Sequence, residues 1–194
     1  MELRNTTSLD TDRLSEMFRR HADPWPNERL KVGVRYSRGA EFSGTCYYAH
    51  HQIYVNLGRQ NRYPYDIRTH IARAQSNRRY WWKEIYAVEA ADAYQLALFV
   101  FLHEYFHWLI KRARRNTRQK ESMCDRFATR ALVDAYGATV RDESGQPVPR
   151  AAWDFQDLER FVAAALPKRR VRRAARVVVS PPPSGQLTFD FLHD

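Results

Sequence analysis

His103-Glu104-Tyr105-Phe106-His107 sets two histidines four residues apart, with a glutamate directly after the first. On a helix, residues four apart lie one turn apart on one face, so both imidazoles can direct a nitrogen at a point about 2.0–2.1 Å away, the distance at which zinc is held. Glu104 then lies beside the ion without binding it, where a carboxylate can accept a proton from an attacking water. Seven histidines and ten glutamates in 194 residues predict roughly 0.01 chance occurrences of the pattern, so coincidence does not account for it. Two histidines leave the centre one protein ligand short. Glu121-Ser-Met-Cys-Asp125 begins 14 residues after His107 and carries carboxylates at i and i+4. We assign Glu121 as third ligand and Asp125 as acceptor for a ligand imidazole N–H, which fixes that ring's tautomer. The reverse assignment puts Asp125 on the metal. If both carboxylates were merely solvated, His70, His50 or His51 would have to complete the site. Adjacent strand residues face opposite ways, so His50 and His51 could not both reach it.

These residues need a rigid frame. From Ala90 to Arg115 there is neither Gly nor Pro, and Leu96–Leu102 is apolar throughout, as in a helix enclosed by the fold. A second helical pattern through Cys124, Ala128, Leu132 and Ala135 stops at Gly137. Upstream, Leu14, Met17, Phe18 and His21 recur at helical spacing behind Asp10-Thr11-Asp12, predicting a first helix near 11–21. Leu30–Tyr36 alternates with period two, and Thr45–Tyr48 and Gln52–Leu57 are two further strand candidates. A small antiparallel sheet is the expected assembly. The segment near 66–76 reads as partly helical, and Leu158, Phe161, Val162 and Leu166 suggest a last helix from about Asp154 to Pro167. The fold class expected is α+β: one domain over 1–167, followed by a basic, Pro-rich tail over 168–194.

Composition narrows the setting. Two cysteines, Cys46 and Cys124, cannot make a disulfide framework. No stretch of about 18 apolar residues occurs and the start lacks a secretory signal pattern, so the expected location is the cytoplasm. Lys+Arg exceed Asp+Glu by 32 to 22, and 27 of the 32 are arginine, whose fork suits phosphate.

H-E-x-x-H followed by E-x-x-x-D, as His103–His107 and Glu121–Asp125, resembles the gluzincin metallopeptidases. In these the glutamate is the third zinc ligand and the aspartate supports a histidine. The chain's size, its sheet before the active-site helix and the string Glu121–Ala128 are similar to the minimal ImmA/IrrE-type members. An early helix, a short sheet and basic character resemble in part the DNA-associated SprT and Spartan metallopeptidases. Those take a histidine as third ligand soon after the motif, and none occurs here between His107 and His193. The resemblance covers about 45–136 and implies a compact zincin-like domain that hydrolyses peptide bonds with Zn²⁺ and Glu104 as general base. Substrate would add as a strand to the sheet edge. Tyr105, two positions from His103, points away from the metal face.

Two basic segments suggest DNA as a partner. Arginines between Arg59 and Lys83, including Arg78 and Arg79, interleave with Tyr63, Tyr65, Tyr80, Trp81 and Trp82, the ingredients of a platform that stacks bases and neutralises phosphates. The competing reading buries those aromatics in the core. Lys168, Arg169, Arg170, Arg172 and Arg173 form a run that would gather polyanions. Gln186-Leu-Thr-Phe-Asp-Phe191 resembles the bacterial sliding-clamp-binding peptide. That resemblance implies that Gln186 bonds at a pocket rim while Leu187, Phe189 and Phe191 fill it; the departure is Phe189 where leucine is commoner. Together these imply a zinc endopeptidase acting on or near DNA, with proteins crosslinked to DNA as one substrate class. The rivals are an ImmA-like protease of one repressor and a non-enzymatic zinc-containing DNA- or clamp-binding module.

Overall fold

The computed structural model describes residues 1–163 except Gln119. The tail residues 164–194 lie outside the described residues, and with them the basic run from Lys168 and the peptide Gln186–Phe191.

The chain opens with β1 (Glu2–Asn5) and α1 (Thr11–Ala22), whose N-cap Asp10 accepts a hydrogen bond from the Arg13 amide at 2.7 Å. It continues through β2 (Lys31–Tyr36), β3 (Phe42–Tyr47), a 3₁₀ turn at Tyr48–His50 and β4 (Gln52–Leu57). These strands form one sheet in the order β1-β2-β4-β3. It is mixed and not antiparallel as expected: β1, β2 and β4 run parallel, and only β3 pairs antiparallel, along β4. Alternation of apolar residues reports which face is buried but not strand direction. α1 carries the chain from β1 to its parallel neighbour β2, and the excursion through β3, which pairs antiparallel with β4, returns it to β4 parallel to β2.

Where part of a helix was expected near 66–76, the structure has β5 (Tyr65–Thr69) and then β6 (Gln75–Ser76), because Ile67 and Thr69 are buried while Asp66 and Arg68 are exposed, a period of two. β7 (Trp81–Trp82) closes a hairpin on β6, and β8 (Tyr86–Ala90) pairs with β5. α2 (Ala93–Arg112) and α3 (Glu121–Tyr136) follow, then β9 (Val140–Arg141) on β8, α4 (Arg150–Trp153) and α5 (Leu158–Ala163).

α2 is the pillar of the fold. Asp92 caps it through the Gln95 amide at 2.8 Å, and 13 of its 20 residues are buried, so it is apolar on nearly every side. It packs on β3 and β4, stacks Phe101 on Phe18 of α1 at 4.3 Å, and lies along α3 with Phe106 against Phe127 at 4.7 Å. α3 ends where Gly137 takes the left-handed conformation (φ 68°) that a C-cap needs. Among the described residues, no helix is long and apolar enough to cross a membrane.

Candidate metal centre

The short link between α2 and α3 folds Glu121 back over the motif. The His103 and His107 rings are 5.0 Å apart. His103 Nε2 lies 3.1 Å from Glu121 Oε2, and His107 Nε2 lies 3.3 Å from Glu121 Oε1. One carboxylate from α3 thus spans both imidazoles. Both contacts are close to the roughly 3.4 Å that separates two donors bound to one tetrahedral metal ion. Imidazole nitrogens and a carboxylate are donors of the kind that hold a divalent metal ion.

Asp125, one turn on, is 7% exposed. Its Oδ1 stands 2.8 Å from His103 Nδ1, and its Oδ2 accepts the His70 backbone N–H at 2.8 Å. A proton held on Nδ1 leaves the Nε2 lone pair of the neutral ring aimed at the centre. The segment carrying His70 is fixed in turn by the buried Arg126, whose Nε donates to the Ile71 carbonyl at 3.0 Å while its guanidinium lies over Phe155.

The charges of the metal-free chain follow from these contacts. Burial alone would lower the His103 pKa, but hydrogen bonds to Asp125 and Glu121 outweigh it and push the imidazole up to about 10. The hydrogen bond from His103 draws Glu121 down to about 2, against its own partial desolvation. His107 moves the other way, lowered first by burial and then by the neighbouring His103 charge, and its buried Nδ1 has no partner among the described residues. Without an ion, His103 and Glu121 therefore form an ion pair in which a proton occupies the place a metal would take.

A further donor stands close by. Cys124 Sγ and one nitrogen from each of His103 and His107 all lie within 4.8 Å of one another, so these three side chains form a group that could hold a metal ion. From sequence, Cys124 reads as helix core only. The signal that could have found it is its position three residues after Glu121, which puts it on the same helical face.

Glu104 is turned towards the sheet. Burial raises its pKa. A Cβ on Gly44 of β3 would stand 2.8 Å from Glu104 Cδ, closer than real contacts allow, so the carboxyl meets the strand only because residue 44 is glycine. A cleft of about 130 Å³ opens there, with Phe42, Gly44, Arg68, Phe99, His103 and Glu104 on its walls. Arg68 makes no ion pair among the described residues; from sequence it reads as one of the arginines interleaved with aromatics between Arg59 and Lys83, not as part of the centre. Two wider depressions, of about 610 and 450 Å³, lie between Ser37–Glu41 and Gly58–Arg62 and over β1 and β2, and hold none of these donors.

The other residues raised by the sequence lie elsewhere. Tyr105 is buried on the far side of α2, its hydroxyl donating to the carbonyls of Ala22 and Pro26 at 3.3 Å. The side chains of His50, His51 and His70 make no hydrogen bond to the cluster among the described residues; only the His70 main chain does. Arg78 and Arg79 sit in the exposed turn of the β6–β7 hairpin, and Trp81 and Trp82 are exposed rather than buried. No family model, curated protein or solved structure gives a significant match to the chain. Fold and site define an α+β protein with a group able to hold a metal ion, set in a cleft beside an edge strand.

Proposed function

We propose that the protein is a zinc-dependent endopeptidase that hydrolyses peptide bonds in proteins, with His103, His107 and Glu121 as ligands and Glu104 as general base. The observation that carries this reading is the convergence of two Nε2 atoms on one carboxylate, at 3.1 and 3.3 Å, beside a buried carboxyl facing an edge strand. A zinc ion in that set supplies Lewis acidity, polarising the scissile carbonyl and acidifying a water. Glu104 takes the proton of the attacking water and passes it to the leaving amine. Its raised pKa suits both transfers, since a base poised closer to neutral pH accepts and releases a proton with little bias. β3 ends the sheet, so an extended substrate can pair with its free edge and lie across Gly44. Arg68 offers an unpaired positive charge to the oxygen that gains negative charge. The formal charge of +10 favours substrates carried on a polyanion such as DNA.

A second reading is favoured by Cys124. If its sulfur joins His103, His107 and Glu121, the centre has four protein ligands and is a closed, structural one. One experiment separates the two: zinc-loaded wild type and Glu104→Gln are incubated with an unfolded protein substrate, with and without chelator. The expected result is zinc-dependent cleavage by wild type, reduced about a thousandfold in Glu104→Gln while zinc stoichiometry stays at one. Full turnover by the variant would remove Glu104 as base, and an inert zinc-loaded wild type would favour the closed centre.

A further inference from the structure

The β6–β7 hairpin is the one place among the described residues where large aromatic side chains cluster in solvent. Tyr80 is 69% exposed, Trp81 72% and Trp82 43%. Across the ribbon, Trp81 faces Ser76 and Trp82 faces Gln75, and none of the three aromatics stacks on another ring among the described residues. The turn between the strands is held firmly. The Asn77 amide donates to the Tyr80 carbonyl at 2.8 Å, and the Asn77 side-chain oxygen accepts from the Arg79 and Tyr80 amides at 2.9 and 2.8 Å. The aromatics are thus presented by a defined turn.

Arg59 lies over Tyr36 at 4.2 Å and Arg73 over Phe155 at 4.0 Å, so those guanidiniums are engaged within the fold. Arg78 and Arg79, in the hairpin turn, have neither an ion pair nor an aromatic partner among the described residues. Arg62 and Arg68 of the basic stretch also lack an ion pair and an aromatic partner among the described residues, but only Arg78 and Arg79 stand beside the exposed rings. From Arg73 to Glu84 the only aliphatic side chain is Ala74. Ring faces beside unpaired guanidiniums, with no aliphatic filling, match unstacked bases joined by phosphates.

We propose that the hairpin Gln75–Trp82 docks single-stranded nucleic acid, with Trp81 on one face of the ribbon and Trp82 on the other each offering a ring to a base, Tyr80 adding a third at the turn, and Arg78 and Arg79 neutralising phosphates. This goes beyond the peptidase reading and stands without it. Its consequence for the centre is one of position: Lys83, the residue after the hairpin, donates to Ser122 Oγ at 2.7 Å, and Ser122 follows Glu121. A strand held on the hairpin brings whatever protein it carries beside the cleft.

The test reads binding, not cleavage, so its failure and that of the peptidase reading are separate. Fluorescence anisotropy of a labelled twelve-nucleotide oligo(dT) is titrated with the full chain, with Trp81→Ala/Trp82→Ala and with Arg78→Ala/Arg79→Ala. The basic run from Lys168 is present in every arm and contributes an equal background. Thermal melts establish that each variant is folded. The aromatic pair is expected to weaken binding at least tenfold. The arginine pair is expected to make the fall of log affinity with log salt shallower by about 1.4, at about 0.7 for each phosphate that is no longer neutralised. A duplex of the same length is expected to bind more weakly and to be insensitive to the aromatic pair. Folded variants that bind oligo(dT) like wild type overturn the proposal, as does a duplex with equal affinity and equal sensitivity. Loss of binding to phosphatidylserine vesicles, with oligo(dT) binding unchanged, assigns the hairpin to a membrane surface and likewise overturns it.

Discussion

The α2–α3 junction and the β6–β7 hairpin are tied together by the Lys83–Ser122 hydrogen bond, yet they deploy the same residue types in opposite ways. At the junction each key charged group is answered: Asp125 by His103 and the His70 amide, Glu121 by two imidazoles, Arg126 by a carbonyl and a ring. At the hairpin the cations and aromatics are unanswered and face water. Groups meant to react or ligate must be desolvated and held by several partners, because a small error in their placement is costly. Groups meant to recognise must be left free to meet a partner. The difference predicts that the junction breaks under single substitutions and that the hairpin tolerates them.

The largest effect is expected at Glu121, the proposed third ligand. Glu121→Gln should weaken zinc binding by at least about a hundredfold in competition with a chromophoric chelator, since removing a ligand costs more than the ten- to hundredfold typical of a supporting group. Cys124→Ser should stay within about threefold of wild type. If the two results exchange places, sulfur and not carboxylate completes the centre. Asp125→Asn comes next, with an expected drop of about ten- to a hundredfold in zinc affinity as the His103 tautomer is released.

The same interactions set a pH dependence for the chelator-treated chain. His103 is raised from its ordinary 6.5 to about 10, so its contribution to stability is full below pH 6.5 and is lost as pH rises towards 10. Glu121 is lowered from 4.5 to about 2, so its contribution is full above pH 4.5 and is lost as pH falls towards 2. Melting temperature without metal should therefore be highest between about pH 4.5 and 6.5 and decline on the alkaline side. Asp125→Asn should flatten that decline. Zinc should abolish it, because the ion replaces the His103 proton. A melting temperature constant from pH 6.5 to 10 in the chelator-treated wild type would show that His103 and Glu121 do not form the pair described.

Much of the junction was legible in the sequence because helical spacing is strict. At about 3.6 residues per turn, positions four apart share a face, which puts His103 with His107 and Glu121 with Asp125, and the absence of Gly and Pro over Ala90–Arg115 marked the helix that carries the first pair. What escaped was what helical spacing does not encode. Strand direction in the first sheet depends on the connections through α1 and β3, the two-residue strands β6, β7 and β9 are too short to show a period, and Ile67 and Thr69 reveal alternation only once their burial is known. The admission of Glu104 against Gly44 joins residues 60 apart in sequence, with no local pattern to announce it. Arg68 reached the cleft in the same way, by tertiary pairing of β5 with β8. Exposure of Trp81 and Trp82 ran against composition, since tryptophans are highly buried on average.

The smallest expected effect is the one that sharpens the contrast most, because it compares two aromatic truncations in one chain. Phe101 is fully buried, stacked on Phe18 at 4.3 Å and on Tyr105 at 5.5 Å, so Phe101→Ala should cost about 3–5 kcal/mol in denaturant unfolding. Trp81 is the larger side chain, yet it is 72% exposed with only Ser76 across the ribbon, so Trp81→Ala should change stability by less than about 0.5 kcal/mol. Size alone predicts the reverse order. A destabilisation above about 1 kcal/mol in Trp81→Ala, well outside the usual range for a surface substitution, would mean that the indole packs on the domain in solution, and a ring covered by its own fold has no face to offer a base.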